Sequence, residues 1–274
     1  MKNRLRLPRI SRLLHSRALA LMGIWLVCLF PACGRGKEQS LAEAVGLLRQ
    51  ADSKYADGDY SAAAAKALEA ANLVKDSAAV QQHAAQIVYL SGQAEASLPL
   101  FDRVIALVPE SAPDNWQRGI ALCSVGRFRD GAQQFKQHHD VNPDDVENSA
   151  WYFLCVAKSD SLEAARESVI PSRGDGRQPM MSVLQMLQGK LQPQQVLEAA
   201  IENTQAGPAR NRAQFYAALY VGLYYDALGD DEQAIKHLKL SLGYGDSGYM
   251  VDTARVYLAD RFKQSLGKGE TTAK

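Results

Sequence analysis

The sequence has little that points to a catalyst or to a β-sheet. It contains no H-E-x-x-H, no G-x-S-x-G and no phosphate-binding loop, so an enzyme reading has no motif to stand on, and no cofactor or metal is expected. No segment alternates apolar and polar residues as a half-buried strand does. Aromatic residues are only 8% of the chain, so alanine and leucine carry most of its 47% hydrophobic content, and with the many Gln and Glu residues they favour helix. The N-terminal apolar run, residues 18–30, is 13 residues long, short of the roughly 20 that a membrane-spanning helix needs. A basic excess is also missing from the body of the chain. Lys2, Arg4, Arg6, Arg9, Arg12 and Arg17 lie in the first 17 residues, and the remainder holds 25 basic against 30 acidic residues. A mildly acidic body argues against nucleic acid as the main ligand.

What the sequence does hold is a period. Gly58, Gly92 and Gly126 lie 34 residues apart. Tyr60, Ala94 and Phe128 follow each glycine by two residues, Ala67, Phe101 and Phe135 by nine, and Lys75, Pro109 and Pro143 by seventeen. In this pattern the glycine permits a tight turn between two helices, the large side chain packs the pair, and the proline stops the second helix. The spacing resembles the tetratricopeptide (TPR) helix–turn–helix repeat. The expected fold is an all-α helical-hairpin solenoid with degenerate middle repeats and a C-terminal capping helix.

The first 32 residues read as an export signal: a basic segment, an apolar run, then the small residues Ala32, Cys33 and Gly34. Leu29, Phe30, Pro31, Ala32 and Cys33 resemble a bacterial lipobox, in which the cysteine becomes the lipidated N-terminus. Phe30 and Pro31 depart from the usual pattern. Cleavage after Gly34, giving a soluble exported protein, and an uncleaved anchor are the alternatives. Under lipidation, Gly34 resembles outer-membrane sorting. Of the four cysteines, Cys123 and Cys155 then remain, on the first helices of neighbouring repeats. An exported compartment permits a bridge, but their apolar surroundings read first as those of small buried hydrophobes.

In chain order, residues 33–39 read as a linker, 40–143 as three regular repeats, 144–205 as degenerate helical repeats, 206–266 as a C-terminal repeat with its capping helix, and 267–274 as a tail. Ser40 and Glu43 suggest a capping box at the first helix. Pro99 is expected in the first turn of its helix, where a missing N–H costs little. Residues 171–179, rich in Pro and Gly, read as a flexible loop, and 205–211 as a further break. Gly222, Tyr225, Gly229, Ala234 and Leu238 restore the pattern, and a last helix over 247–266 caps it, as solenoids require.

This layout resembles the NlpI-type TPR lipoproteins of Gram-negative envelopes. The resemblance rests on the regular early repeats, Trp151, Tyr152, Phe153 and Leu154 after them, then Ala213, Gln214, Phe215 and Tyr216 leading to 222–230. It implies a helical, lipid-anchored, non-catalytic adaptor, often homodimeric, that holds periplasmic proteases and cell-wall hydrolases together. It transfers no partner-binding residue to this chain. A subunit of an outer-membrane assembly machine is the alternative.

Several motifs carry less than they spell. Gly243, Gly245 and Gly248 match G-x-G-x-x-G but fall between two helices rather than in a βαβ unit. His138 and His139 are adjacent, so they point about 100° apart and read as surface histidines. Asp230, Asp231 and Glu232 read as helix-start acids.

In the repeat register, the concave face presents Leu48, Asp52 and Tyr55, then Gln82, Gln86 and Tyr89, then Trp116, Ile120 and Cys123. Asp52 is its only charge. This groove is the expected site for a peptide or helix of another envelope protein, anchored on Trp116 and the tyrosines, unless Trp116 packs internally. Tyr216, Tyr220 and Tyr224 recur at i,i+4. They form either a dimer or partner stripe or, in the favoured reading, core beneath the terminal helix.

Overall fold

The structure is a computed structural model that describes residues 32–245 and 247–263, with side chains from residue 36 onward. The expected export signal over 1–32, apart from residue 32, the side chain of Cys33 and the expected tail over 267–274 lie outside the described residues. Among the described residues there are thirteen α-helices and no strand, and none of those helices is long and apolar enough to cross a membrane.

Three hairpins open the fold: α1 (Ala32–Ala56) with α2 (Tyr60–Leu73), α3 (Ala78–Leu90) with α4 (Ala94–Leu107), and α5 (Trp116–Ser124) with α6 (Phe128–Val141). Each turns at its expected glycine. Gly58, Gly92 and Gly126 adopt φ of +76°, +82° and +79°, a left-handed conformation that costs a side-chain-bearing residue about 1–2 kcal/mol. Asp59 and Ser77 cap α2 and α3 by accepting from backbone N–H groups three residues on. α4 and α6 stop two residues before Pro109 and Pro143.

The first hairpin has an alanine core: Ala44, Ala51, Ala63, Ala64, Ala67 and Ala70 are fully buried. In the next two, Phe101 and Phe135 take the place of Ala67, and the core grows aromatic. Gly119 faces the Phe135 ring so closely that an added Cβ would lie 2.7 Å from Cζ, which explains why only glycine fits there. The last repeat copies this arrangement with Gly222 against Leu238.

The second half follows with α7 (Val146–Ser159) and α8 (Leu162–Glu167), α9 (Met180–Leu187) and α10 (Pro193–Glu202), then α11 (Pro208–Leu228) and α12 (Asp231–Tyr244). Gly189 and Gly229 turn in the same left-handed way, so the irregular middle still contains a hairpin, α9–α10. The final helix, α13 (Tyr249–Phe262), packs on α12 and returns to α3 and α5, while α11 packs along α7. The array therefore closes on itself.

Several expectations need correction. Residues 33–39 are helical, part of α1, and Ser40 is not a cap: its hydroxyl donates to the Gly36 carbonyl from inside the helix. Pro99 is the sixth residue of α4, beyond its first turn, and the exposed face there leaves the freed Glu95 carbonyl to water. α11 already begins at Pro208, whose fixed φ suits a first helical position, so the break over 205–211 is shorter than expected. The 171–179 loop is pinned by charge. Arg173 pairs with Asp144 at 2.8 Å, and Arg177 is shared by Asp145, Glu147 and Asp175. Gly245 ends α12 and Gly248 starts α13, confirming that the glycine triplet joins two helices. Asp230 caps α12 as expected, accepting from Gln233 N.

Candidate functional site

The expected concave groove is largely filled by the chain's own α13. Tyr249 stacks on Tyr89 (6.5 Å between centroids) and meets Trp116 edge-on (5.1 Å). Arg255 donates to the Leu90 carbonyl at 2.6 Å and to the Tyr55 hydroxyl at 3.4 Å, and its guanidinium lies 4.3 Å over the Tyr60 ring. Burial, with Asp252 nearby, pushes the Tyr55 hydroxyl pKa up. Tyr89 and Ile120 are buried, and the Tyr89 hydroxyl lies 3.2 Å from Ser124 Oγ. As an open peptide groove, the segment through Tyr55, Tyr89, Trp116 and Ile120 is therefore corrected. A register read from sequence gives which way helix faces point but not that a helix more than 100 residues later occupies them. Asp52, Gln82 and Gln86 remain at least partly exposed. Asp52 pairs with His83 at 3.0 Å, and Gln82 donates its amide N–H to Gln117 Oε1 at 2.6 Å.

What stays open is a trough at the start of α13. Its outer cavity, about 370 Å³, lies between the first turns of α11 and the α12–α13 connection, with Arg212, Phe215, Tyr216, Tyr244 and Tyr249 on its walls. An inner cavity of about 90 Å³ lies among α5, α6, α7 and α13. Trp116, Ile120, Phe135 and Trp151 give it apolar walls, and Asp145, Glu147, Asn148 and His138 bring polar atoms to it. Met250 lines both cavities. Glu147 links them a second way. It accepts from the Tyr220 hydroxyl, and Tyr220 stacks on Tyr216 at 6.2 Å with the rings nearly parallel. Trp116 and Ile120 from one predicted set and Tyr216 from the other thus meet at one place.

The electrostatics of the inner cavity follow from the pinned loop. Asp145, Glu147 and Asp175 share the single guanidinium of Arg177, so the wall keeps a negative balance. Burial pushes the Glu147 carboxyl up, against the pull of Tyr220 and Arg177. Burial also raises Asp175, but hydrogen bonds from Arg177 outweigh it and hold that carboxyl low. The three carboxylates hold the Arg177 guanidinium protonated, its pKa pushed up.

His138, expected on the surface, is buried, with Nδ1 2.8 Å from the Pro113 carbonyl. The tyrosine stripe divides. Tyr216 borders the outer cavity, Tyr220 is fully buried, and Tyr224 is buried against Phe153 at 5.8 Å. It is largely core, but beneath α7 rather than the terminal helix. Sequence reasoning missed Asn148, Glu147, His138, Arg212 and Met250 as neighbours. The apolar start of α13, Tyr249, Met250 and Val251, was the one local signal that this helix had a face to bury beyond α12.

Cys123 and Cys155 are free and fully buried, with Sγ atoms 3.0 Å apart. No group of three or more His, Cys, Asp or Glu able to hold a metal occurs among the described residues. No family model matches the chain.

Proposed function

We propose that the chain is a non-catalytic TPR binding scaffold of a bacterial envelope, exported and lipid-anchored through Cys33. In this reading it is an adaptor that brings periplasmic proteases or cell-wall hydrolases to the membrane surface, and the partner docks along the trough beside α13. The observation that carries the reading is the 34-residue recurrence of Gly58, Gly92 and Gly126, each left-handed and each closing a helix pair. Stacked hairpins of this kind serve to present extended binding surfaces. The trough supplies what such a surface needs: rigid aromatic area at Trp116 and Tyr216, which costs little conformational entropy on binding, and charge at Arg212 and Glu147 to orient the partner.

The test is an in-cell photocrosslink with the crosslinking residue at Arg212, beside a control at Glu95 on the exposed face of α4. Recovery of proteases or cell-wall hydrolases at position 212 alone supports the adaptor. Equal recovery at both positions overturns the trough as the docking site. Co-purification at fixed ratio with an outer-membrane assembly complex would replace the adaptor by a subunit of that machine. Loss of labelled lipid in Cys33→Ala tests the anchor.

A further inference from the structure

The inner cavity holds polar groups that the fold leaves without partners. Asn148 is 3% exposed, and neither its Nδ2 nor its Oδ1 has a hydrogen-bond partner. Trp151 is 1% exposed, and its indole N–H is unpartnered as well. Both residues line the cavity. Buried polar groups are almost always hydrogen-bonded, so such a set calls for a complement. At about 90 Å³ the space is several times what one water needs.

The unpartnered atoms define that complement. Two are donors, Asn148 Nδ2 and Trp151 Nε1, and one is an acceptor, Asn148 Oδ1. A carboxylate would satisfy the donors but would stand beside Asp145 and Glu147, with Arg177 already committed to both. An ammonium group would suit those carboxylates and the aromatic walls but would leave both donors orphaned. A primary carboxamide meets every requirement. Its oxygen has two lone pairs for the two donors. One of its N–H groups reaches Asn148 Oδ1, and the other faces the carboxylate side. Its flat, neutral body suits the apolar walls supplied by Trp116, Phe135 and Trp151.

We infer that the inner cavity is a carboxamide-binding subsite, which takes the side-chain end of a glutamine or asparagine on a protein partner lying in the trough. The inference rests on reading the trough as the partner surface. Met250, a flexible thioether lining both cavities, stands where such a side chain passes from the outer to the inner one.

The experiment uses the full chain labelled with ¹⁵N at tryptophan. The indole N–H signals of Trp116 and Trp151 are followed while propionamide, propionate and propylammonium are titrated in separately. The Trp151 signal is assigned with Trp151→Phe. Propionamide should shift it saturably, with millimolar affinity, while the two ions should not. Asn148→Leu, which fills the same space with an apolar group, should abolish the shift while keeping or raising the thermal midpoint. A larger or equal shift with either ion overturns the carboxamide assignment. So does the absence of any saturable shift, which would leave the cavity to water alone, or a shift that persists in Asn148→Leu. Partner crosslinks at position 212 that survive Asn148→Leu, with no propionamide response in the wild type, overturn the subsite and leave the scaffold intact. A propionamide response without any partner crosslink does the reverse.

Discussion

Tyr257 on α13 donates its hydroxyl to Asp226 Oδ2 on α11 at 2.5 Å, and Asp226 is fully buried. The same carboxylate receives Lys158 from α7 at 3.0 Å and Arg261 from α13 at 3.1 Å. One buried charge therefore ties together α7, α11 and α13, through partners, Lys158 and Arg261, that lie 68 and 35 residues from it in sequence. It explains why α13 stays seated in the groove instead of merely covering the last hairpin.

Removing this carboxylate should be costly. Asp226→Asn leaves Lys158 and Arg261, both mostly buried, without their counter-charge, and breaking such a set costs about 3 kcal/mol. Tyr257→Phe keeps the ring against Trp151 and removes one charge-assisted hydrogen bond, for a loss of about 2 kcal/mol. Urea unfolding measures both. Faster amide exchange in α13 than in α3 would show that the loss is felt first where the helix is held.

Gly119 and Phe135 should behave as one unit. Gly119→Ala puts a methyl group 2.7 Å from the Phe135 ring, and overpacking of this kind costs about 1–3 kcal/mol. Phe135→Leu alone opens space in the core. The double substitution should recover part of the Gly119→Ala loss, so a double-mutant cycle should give a favourable coupling. Strict additivity would mean that the ring does not set the glycine requirement.

The repeats were legible because each depends on one backbone requirement repeated at a fixed spacing. Gly58, Gly92 and Gly126 had to be glycine, and their period gave both the hairpins and the helix faces. The degenerate hairpin was harder, since the α7–α8 turn passes through Asp160 without a left-handed residue. The candidate site was half legible. Trp116, Ile120 and Tyr216 were singled out, but as parts of two different surfaces. Their meeting depends on α13 crossing α3 and α5 and on Glu147 joining Tyr220, and such long-range pairings leave no local periodicity. The groove was read as open because a helix face that suits a partner equally suits a distant segment of the same chain.

The cavity wall predicts two opposite pH responses. The Glu147 carboxyl is raised in the folded chain by burial, so the folded state holds its proton more tightly than the unfolded one. Stability relative to Glu147→Gln should therefore fall as pH rises from the ordinary carboxylate range, about 4.3, through the raised folded value, and then level off. The Asp175 carboxyl is held low by Arg177 despite its burial. Its contribution relative to Asp175→Asn should be full above the ordinary range, about 3.9, and be lost as pH falls through the depressed value. Thermal midpoints of the three proteins from pH 3 to 7 would separate the two slopes. Parallel slopes would contradict the assignment.

The cysteine pair should be unreactive while the chain is folded. Burial pushes the Cys123 thiol up, and Cys155 beside it adds to the shift, so little thiolate forms. The thiolate is the species that alkylates, and both side chains are fully buried. Mass mapping after iodoacetamide treatment should find positions 123 and 155 unmodified in the reduced native protein and modified in denaturant. Rapid native labelling would reveal local opening between α5 and α7.

Tyr249 offers a contrast with Tyr257 on the same helix. Its ring fills the space between Tyr89 and Trp116, but its hydroxyl is buried without a partner. A buried hydroxyl left unpaired carries a desolvation cost of about 1–3 kcal/mol. Tyr249→Phe should therefore leave stability unchanged or raise it, where Tyr257→Phe lowers it. Tyr249→Ala should do something else again. It removes the ring that covers Trp116 and leaves Tyr89 facing the outer cavity, so tryptophan emission should shift to the red and quench more readily with acrylamide. If Tyr249→Phe instead destabilises as much as Tyr257→Phe, the hydroxyl has a partner in solution. The edge of the groove would then be held by a hydrogen bond as well as by ring packing.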